Sequence, residues 1–152
     1  MLGIGRSIME IKMDDREKNP KIQLELFKLG IDCNTERLKI GDYIYKRVCI
    51  EMKSADDLCG SICDGRLEKQ IEKMKWNYEE IILIIHGSLS KVQSKINHRC
   101  ALGMYIKYVM DEDVDVFWVE NEKQVAYCMK RIFERYDSEI KNLGEMKGGI
   151  EK

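Results

Sequence analysis

The chain has 152 residues, with Lys and Arg (26) almost balancing Asp and Glu (27) for a net charge of −1. That length suits one domain, which buries roughly 68–70% of the surface its unfolded chain exposes, and the charge balance excludes a global basic footprint, so any nucleic-acid contact must come from a local patch. Six cysteines with no CxxC pair and no secretory h-region at Met1–Gly5 fit a reduced, intracellular chain, and the longest apolar run, Ile81–Ile85, is too short to span a bilayer.

Ile8, Ile11 and Met13 predict a first strand over Ile8–Asp14 that stops at a charged run. Asn19-Pro20 is a helix start, with Asn as cap and Pro at the first helical position, and Ile22, Leu26 and Leu29 recur at helical spacing up to Gly30. Between Thr35 and Lys53 the branched and aromatic residues Leu38, Ile40, Tyr43, Ile44, Tyr45, Val48 and Ile50 predict strands in a hairpin that reverses near Lys46-Arg47. Ser54 caps a short helix with early acids, and Gly65 separates it from a second helix over Arg66–Trp76. Glu80–His86 is nearly all apolar, as in a strand buried on both faces, and Ser88–Lys95 is a loop or a helical insertion. A helix with Ala101, Met104, Tyr105, Tyr108 and Val109 in its stripe, a strand over Val114–Val119 and a long helix capped by Asn121 complete the pattern. The glycines from Gly144 onward predict a frayed tail, giving one domain over 1–143 and a flexible 144–152. Alternating strands and helices behind a hairpin indicate an α/β domain whose mixed β-sheet is flanked by helices on both faces.

Chemistry concentrates in Gly41-Asp42-Tyr43 and Ile50-Glu51-Met52-Lys53. In a strand, Glu51 and Lys53 point to one face, and a hairpin partner brings Asp42 beside them. Two carboxylates suit Mg²⁺ (or Mn²⁺), which activates water and offsets charge on a phosphate, and Lys53 adds a positive charge for the transition state. The bland alternative is a solvated acid–lysine pair on an edge strand. Cys59 and Cys63 share a helix face, but without two further ligands they read as buried thiols rather than zinc ligands.

Taken in order, Asp14-Asp15-Arg16-Glu17, Gly41-Asp42-Tyr43, Glu51-Met52-Lys53-Ser54 with Asp57-Leu58, and Asp64-Gly65-Arg66-Leu67 with Gln70 resemble the nuclease domain of the XPF/Mus81/Hef family of structure-specific endonucleases. The family signature is Gly-Asp, a variable gap, Glu-Arg-Lys, three residues and Asp, and this chain matches it except at Met52. The resemblance implies a restriction-endonuclease-like fold and a Mg²⁺-dependent endonuclease acting on branched or flap DNA in repair or replication. Asp42, Glu51 and Asp14 would be metal ligands, Lys53 the catalytic lysine, Glu17 a further acid and Arg16 a phosphate-side residue. Lys12, Arg16, Arg66, Lys69 and Lys73, with Lys91 and Lys95 in the loop, form the available DNA-binding patch, and Asp57 has an ordinary role at a helix start. Met52 cannot donate to a phosphate as arginine would, which implies a weaker or differently tuned activity.

The family's tandem helix-hairpin-helix modules have no counterpart in the sequence, so modest, salt-sensitive DNA affinity is expected. The stripe Val125, Met129, Ile132, Phe133, Tyr136 and Ile140 is a core face and, by the resemblance, a homodimer surface. Membership of a larger repair or replication complex also follows from the resemblance. The competing readings are a pseudo-nuclease scaffold for an active partner, and another enzyme of the same fold such as a Holliday junction resolvase or a restriction enzyme.

Overall fold

The computed structural model describes residues 9–17, 19–92 and 98–151; Ile8 and Lys95 lie outside them, as do the side chains of Cys63 and Ile140. Its elements are β1 (Met9–Asp14), α1 (Pro20–Lys28), β2 (Ile31–Glu36), β3 (Tyr43–Tyr45), β4 (Val48–Ser54), α2 (Ala55–Cys63), α3 (Arg66–Asn77), β5 (Glu80–His86), α4 (His98–Val109), β6 (Val114–Val119) and α5 (Glu122–Glu151), with a 3₁₀ turn at Leu89–Lys91. The strands form one sheet in the order β2-β1-β3-β4-β5-β6. β3 is antiparallel to both β1 and β4, while β1–β2, β4–β5 and β5–β6 are parallel, so the sheet is mixed.

Alternation along the strands divides the core in two. Ile11, Met13, Tyr43, Ile50, Met52, Ile82 and Ile84 meet Ile22 and Leu26 of α1 and Val125, Met129 and Phe133 of α5. On the other face Cys49, Ile81, Leu83 and Ile85 meet Leu58 of α2, Leu67, Ile71 and Met74 of α3, and Ala101 and Tyr108 of α4. Each large side chain buried in this way contributes about 1.5–3 kcal/mol relative to exposure. Helices thus flank both faces, as the alternation predicted. Among the described residues no helix is long and apolar enough to cross a membrane.

Several local expectations change. Asn19 occupies the N-cap position of α1, but its side chain makes no capping hydrogen bond; it is directed to Glu122 instead. Leu38 and Ile40 are not in a strand. The strand before them is β2, whose sequence Ile31–Glu36 buries only Ile31 and therefore carries little apolar periodicity. The hairpin reverses at Lys46-Arg47, where Lys46 adopts φ 53°. Ser54 accepts from the Asp57 amide at 3.0 Å and Asn121 from the Gln124 amide at 2.9 Å, so both caps stand as read. α5 continues through residues 144–151, across the segment predicted to be a frayed tail. Val109 is 50% exposed and so leaves the core stripe of α4.

Candidate active site

Three adjacent strands bring the acids into a row. β1 pairs with β3 through Met13↔Tyr43, and β3 pairs with β4 through Tyr43↔Ile50. One step further along, Asp14, Asp42 and Glu51 lie side by side. Two backbone bonds hold that step: the Asp14 amide donates to the Asp42 carbonyl at 2.9 Å, and the Asp42 amide donates to the Ile50 carbonyl at 2.8 Å. Since Met13, Tyr43 and Ile50 point into the α1/α5 core, the three acids face the other side of the sheet.

Gly41 is what lets the chain enter this position, because its φ of +78° suits glycine and a Cβ there would overlap Cys49 Sγ. Asp42 is then fixed by the Met52 amide, which donates to its Oδ2 at 2.8 Å. Lys53, two residues beyond Glu51 on the same face, sets its Nζ 3.6 Å from Glu51 Oε2, and both side chains are buried. Burial pushes the Glu51 carboxyl up to about 8, reinforced by the Asp42 charge and opposed by Lys53. Asp42 is likewise raised, chiefly by burial, with the Met52 amide and Lys53 working against it and Asp14 adding to it.

Asp14 differs from its neighbours. Burial raises its carboxyl, but the Arg16 and Leu38 hydrogen bonds outweigh that and hold it below the usual range. Arg16 Nε and Nη2 donate to Asp14 at 2.9 and 3.3 Å, and the Leu38 amide donates to Oδ1 at 2.9 Å. Arg16 Nη2 also reaches the Leu38 carbonyl at 2.7 Å, so the guanidinium clamps the 37–42 loop to the end of β1. Glu17 lies close enough to raise both Glu51 and Tyr43.

With both Asp14 oxygens engaged, no three His, Cys, Asp or Glu side chains among the described residues converge as a ready metal cage. Magnesium does not require one, since it commonly takes one or two carboxylates and completes its shell with water and phosphate oxygens. The mutual repulsion of the half-buried Asp42 and buried Glu51 carboxylates is the feature that a divalent cation would relieve.

The remaining predicted residues lie apart from this row. Asp57 stands in the first turn of α2, where its amide is capped by Ser54. Arg66 Nε pairs with Asp64 at 2.9 Å on the surface, and Lys69, Lys73 and Lys91 are exposed. Among the described residues none of these four cations forms an ion pair with the site's acids. Met52 points away from the acids into the α1/α5 core, 8% exposed. Val125, Met129 and Phe133 of the α5 stripe are completely buried within this chain and are not a surface. The structural use of Leu38, whose amide and carbonyl join Asp14 to Arg16, left no signal in the sequence because it is a backbone role.

Comparison with known proteins identifies the arrangement. The ERCC4 domain model matches residues 13–132. The 3′-flap repair endonuclease Xpf of Saccharolobus solfataricus is 33% identical over 132 residues, covering 85% of this chain and 56% of that protein, so the chain spans about half the length of that relative. DNA repair endonuclease XPF of Mus musculus is 37% identical over 82 residues, 53% of this chain and 9% of that one. Among solved structures, XPF from Aeropyrum pernix in complex with DNA superposes with a TM-score of 0.73 at 20% identity, covering 86% of this chain and 66% of that chain. The mixed six-stranded sheet with its five helices is therefore the restriction-endonuclease-like fold of XPF nuclease domains, and this chain belongs to the ERCC4 domain family.

Proposed function

We propose that the chain is a metal-dependent DNA endonuclease domain that hydrolyses phosphodiester bonds at branched or flap structures, with Mg²⁺ (or Mn²⁺) as its cofactor. The observation that carries this reading is the placement of Lys53 beside two mutually repelling carboxylates, the half-buried Asp42 and the buried Glu51, at one end of the sheet. Those two side chains would hold the cation, which supplies electrophilic polarisation of the phosphate when bound. Lys53 brings a positive charge that Glu51 keeps in place, suited to negative charge gathering on the phosphate or to orienting the attacking water. The Met52 amide fixes the Asp42 carboxylate, and Arg16 keeps Asp14 charged and the 37–42 loop seated. These groups are oriented before substrate arrives, so little reorganisation is needed during the reaction.

The relatives support the DNA substrate, by name in the flap endonuclease and by the bound DNA in the solved complex. We also propose that two copies assemble, alone or within a larger repair or replication complex. Because Val125, Met129 and Phe133 of α5 are buried in the core, the surface proposed for this is formed by Leu102, Ile106 and Val109 of α4 with Met110 just after it, exposed beside the free edge of β6.

The direct test offers flap, fork, junction and plain duplex DNA to the purified chain in Mg²⁺ or EDTA, beside Asp42→Asn and Lys53→Ala. Cutting should require the metal and fall by about 10²–10³ in each variant. Metal-dependent cutting that survives both substitutions would overturn the site, and DNA binding with no cutting of any substrate would favour a scaffold.

A further inference from the structure

Helices α2, α3 and α4 cover the β4–β6 half of their face and leave the β2–β1–β3 half open. There the sheet floors a groove of about 470 Å³. Its rim carries Lys12, Arg37 and Lys39 against one carboxylate, Glu36, in a chain whose net charge is −1; Lys46 also borders it, but its ammonium is turned to Asp137 of α5 and the Tyr45 ring on the other side of the sheet. Apolar Ile40 and Ile44 and the ring of Tyr78 line its inner surface. Lys12 meets Glu36 at 3.7 Å and Arg37 meets Asp15 at 2.6 Å, both through exposed cations. Such surface pairs are weak and are readily exchanged for a phosphate. Lys39 has no partner among the described residues.

The groove leads into the acidic row. Lys12 lies two residues before Asp14 on β1 and points to the same face, about 6–7 Å back along the strand. The 37–42 loop lines the groove with Leu38 and Ile40 and ends at Asp42. We infer that this groove holds one unpaired nucleic-acid strand of the substrate and guides it toward Asp42 and Glu51. The inference rests on the nuclease reading and adds the route by which the strand arrives. An aromatic and apolar interior with a cationic rim suits a base whose faces are free to stack; in a duplex those faces are already covered. A strand rather than a duplex is therefore the occupant.

The test measures binding, in EDTA, of labelled duplex carrying a single-stranded dT arm and of the same duplex with blunt ends. Lys12→Gln/Lys39→Glu removes two rim cations without touching the core, and Tyr78→Leu removes the aromatic face while keeping an apolar side chain. Circular dichroism and the thermal midpoint confirm that each variant is folded. The double variant should bind the armed DNA at least about tenfold more weakly and lower its salt slope by about 1.4, at ~0.7 per lost single-strand phosphate contact. Tyr78→Leu should weaken the same DNA several-fold, and blunt duplex should change less than about twofold in either case. Equal weakening on both DNAs, or none on the armed one, overturns the groove. If Asp42→Asn abolishes cutting while the groove variants bind the armed DNA normally, only the groove assignment falls. If the unaltered chain neither binds nor cuts either DNA, the nuclease reading falls and takes the groove with it.

Discussion

The Met52 amide donates a hydrogen bond to Asp42 Oδ2 at 2.8 Å, while the Met52 side chain points to the opposite face of the sheet. The residue that departs from the family signature therefore serves the site through its backbone, which any residue but proline supplies. Met52→Leu should cost under about 1.5 kcal/mol and leave cleavage unchanged. Met52→Arg would place a guanidinium against Ile50 and Ile84 in the α1/α5 core and should cost about 2–3 kcal/mol. Thermal melts and cleavage rates of both variants decide the point. An arginine variant that melts as high as the parent and cuts faster would show that the side chain itself matters.

The Glu51 carboxyl, raised by burial and then by Asp42, makes metal-free stability depend on pH. Because its folded pKa of about 8 lies above the ordinary value of 4.5, the folded chain binds the extra proton between those limits. Stability then falls as pH rises from about 4.5 to about 8. In EDTA the thermal midpoint should decline across that window, and Glu51→Gln should flatten the decline. Added Mg²⁺ should raise the midpoint more at pH 8 than at pH 6, since a cation competes with the proton. A midpoint in EDTA that rises over the same window would contradict the assignment.

Gly41→Ala tests how tightly the acidic row is built. It forces a side chain into φ +78° and against Cys49 Sγ, so a loss of at least about 1–2 kcal/mol is expected. Because Asp42 is the next residue, cleavage should fall further than the loss of folded protein explains. Comparing kcat for the folded fraction with the unfolding midpoint separates the two effects, and an unchanged kcat would show that Asp42 tolerates displacement.

Ile106 of α4 and Met110, the residue after its last turn, are 53% and 75% exposed. Ile106→Glu with Met110→Glu should convert a dimer to monomer in sedimentation at micromolar concentration while leaving the melt of the monomer fold within about 0.5 kcal/mol. Tyr127→Glu on the exposed side of α5 serves as the control. A parent chain that sediments as a monomer would remove the proposal altogether.

The parts of the fold that were legible in the sequence are those in which apolar spacing reports burial. Ile81–Ile85 announced a strand covered on both faces, and Val125, Met129 and Phe133 announced the helix that covers one of them. β2 was missed because an edge strand that buries Ile31 alone has almost no periodicity. Leu38 and Ile40 misled for a related reason: they are apolar because they line the open half of the sheet, not because they lie in a strand. Asp42, Glu51 and Lys53 were legible as neighbours because hairpin geometry is local. The clamp of Arg16 on the Leu38 carbonyl was not, since that partner arrives from 22 residues away.

No loop separates β4 from α2: Ser54 ends the strand, caps the helix and is followed at once by Ala55. Strand and helix are consequently continuous, and the direction of α2 is set by a strand that stays paired with β5 as far as Ser54↔His86. Asp42 sits on a different segment but is tied to this strand through the Ile50 carbonyl and the Met52 amide, so the acidic row and the start of α2 share one frame. α2 rests on α4, whose outer face is the proposed meeting surface between copies. The proposed meeting surface thus lies one helix away from the strand that carries Lys53.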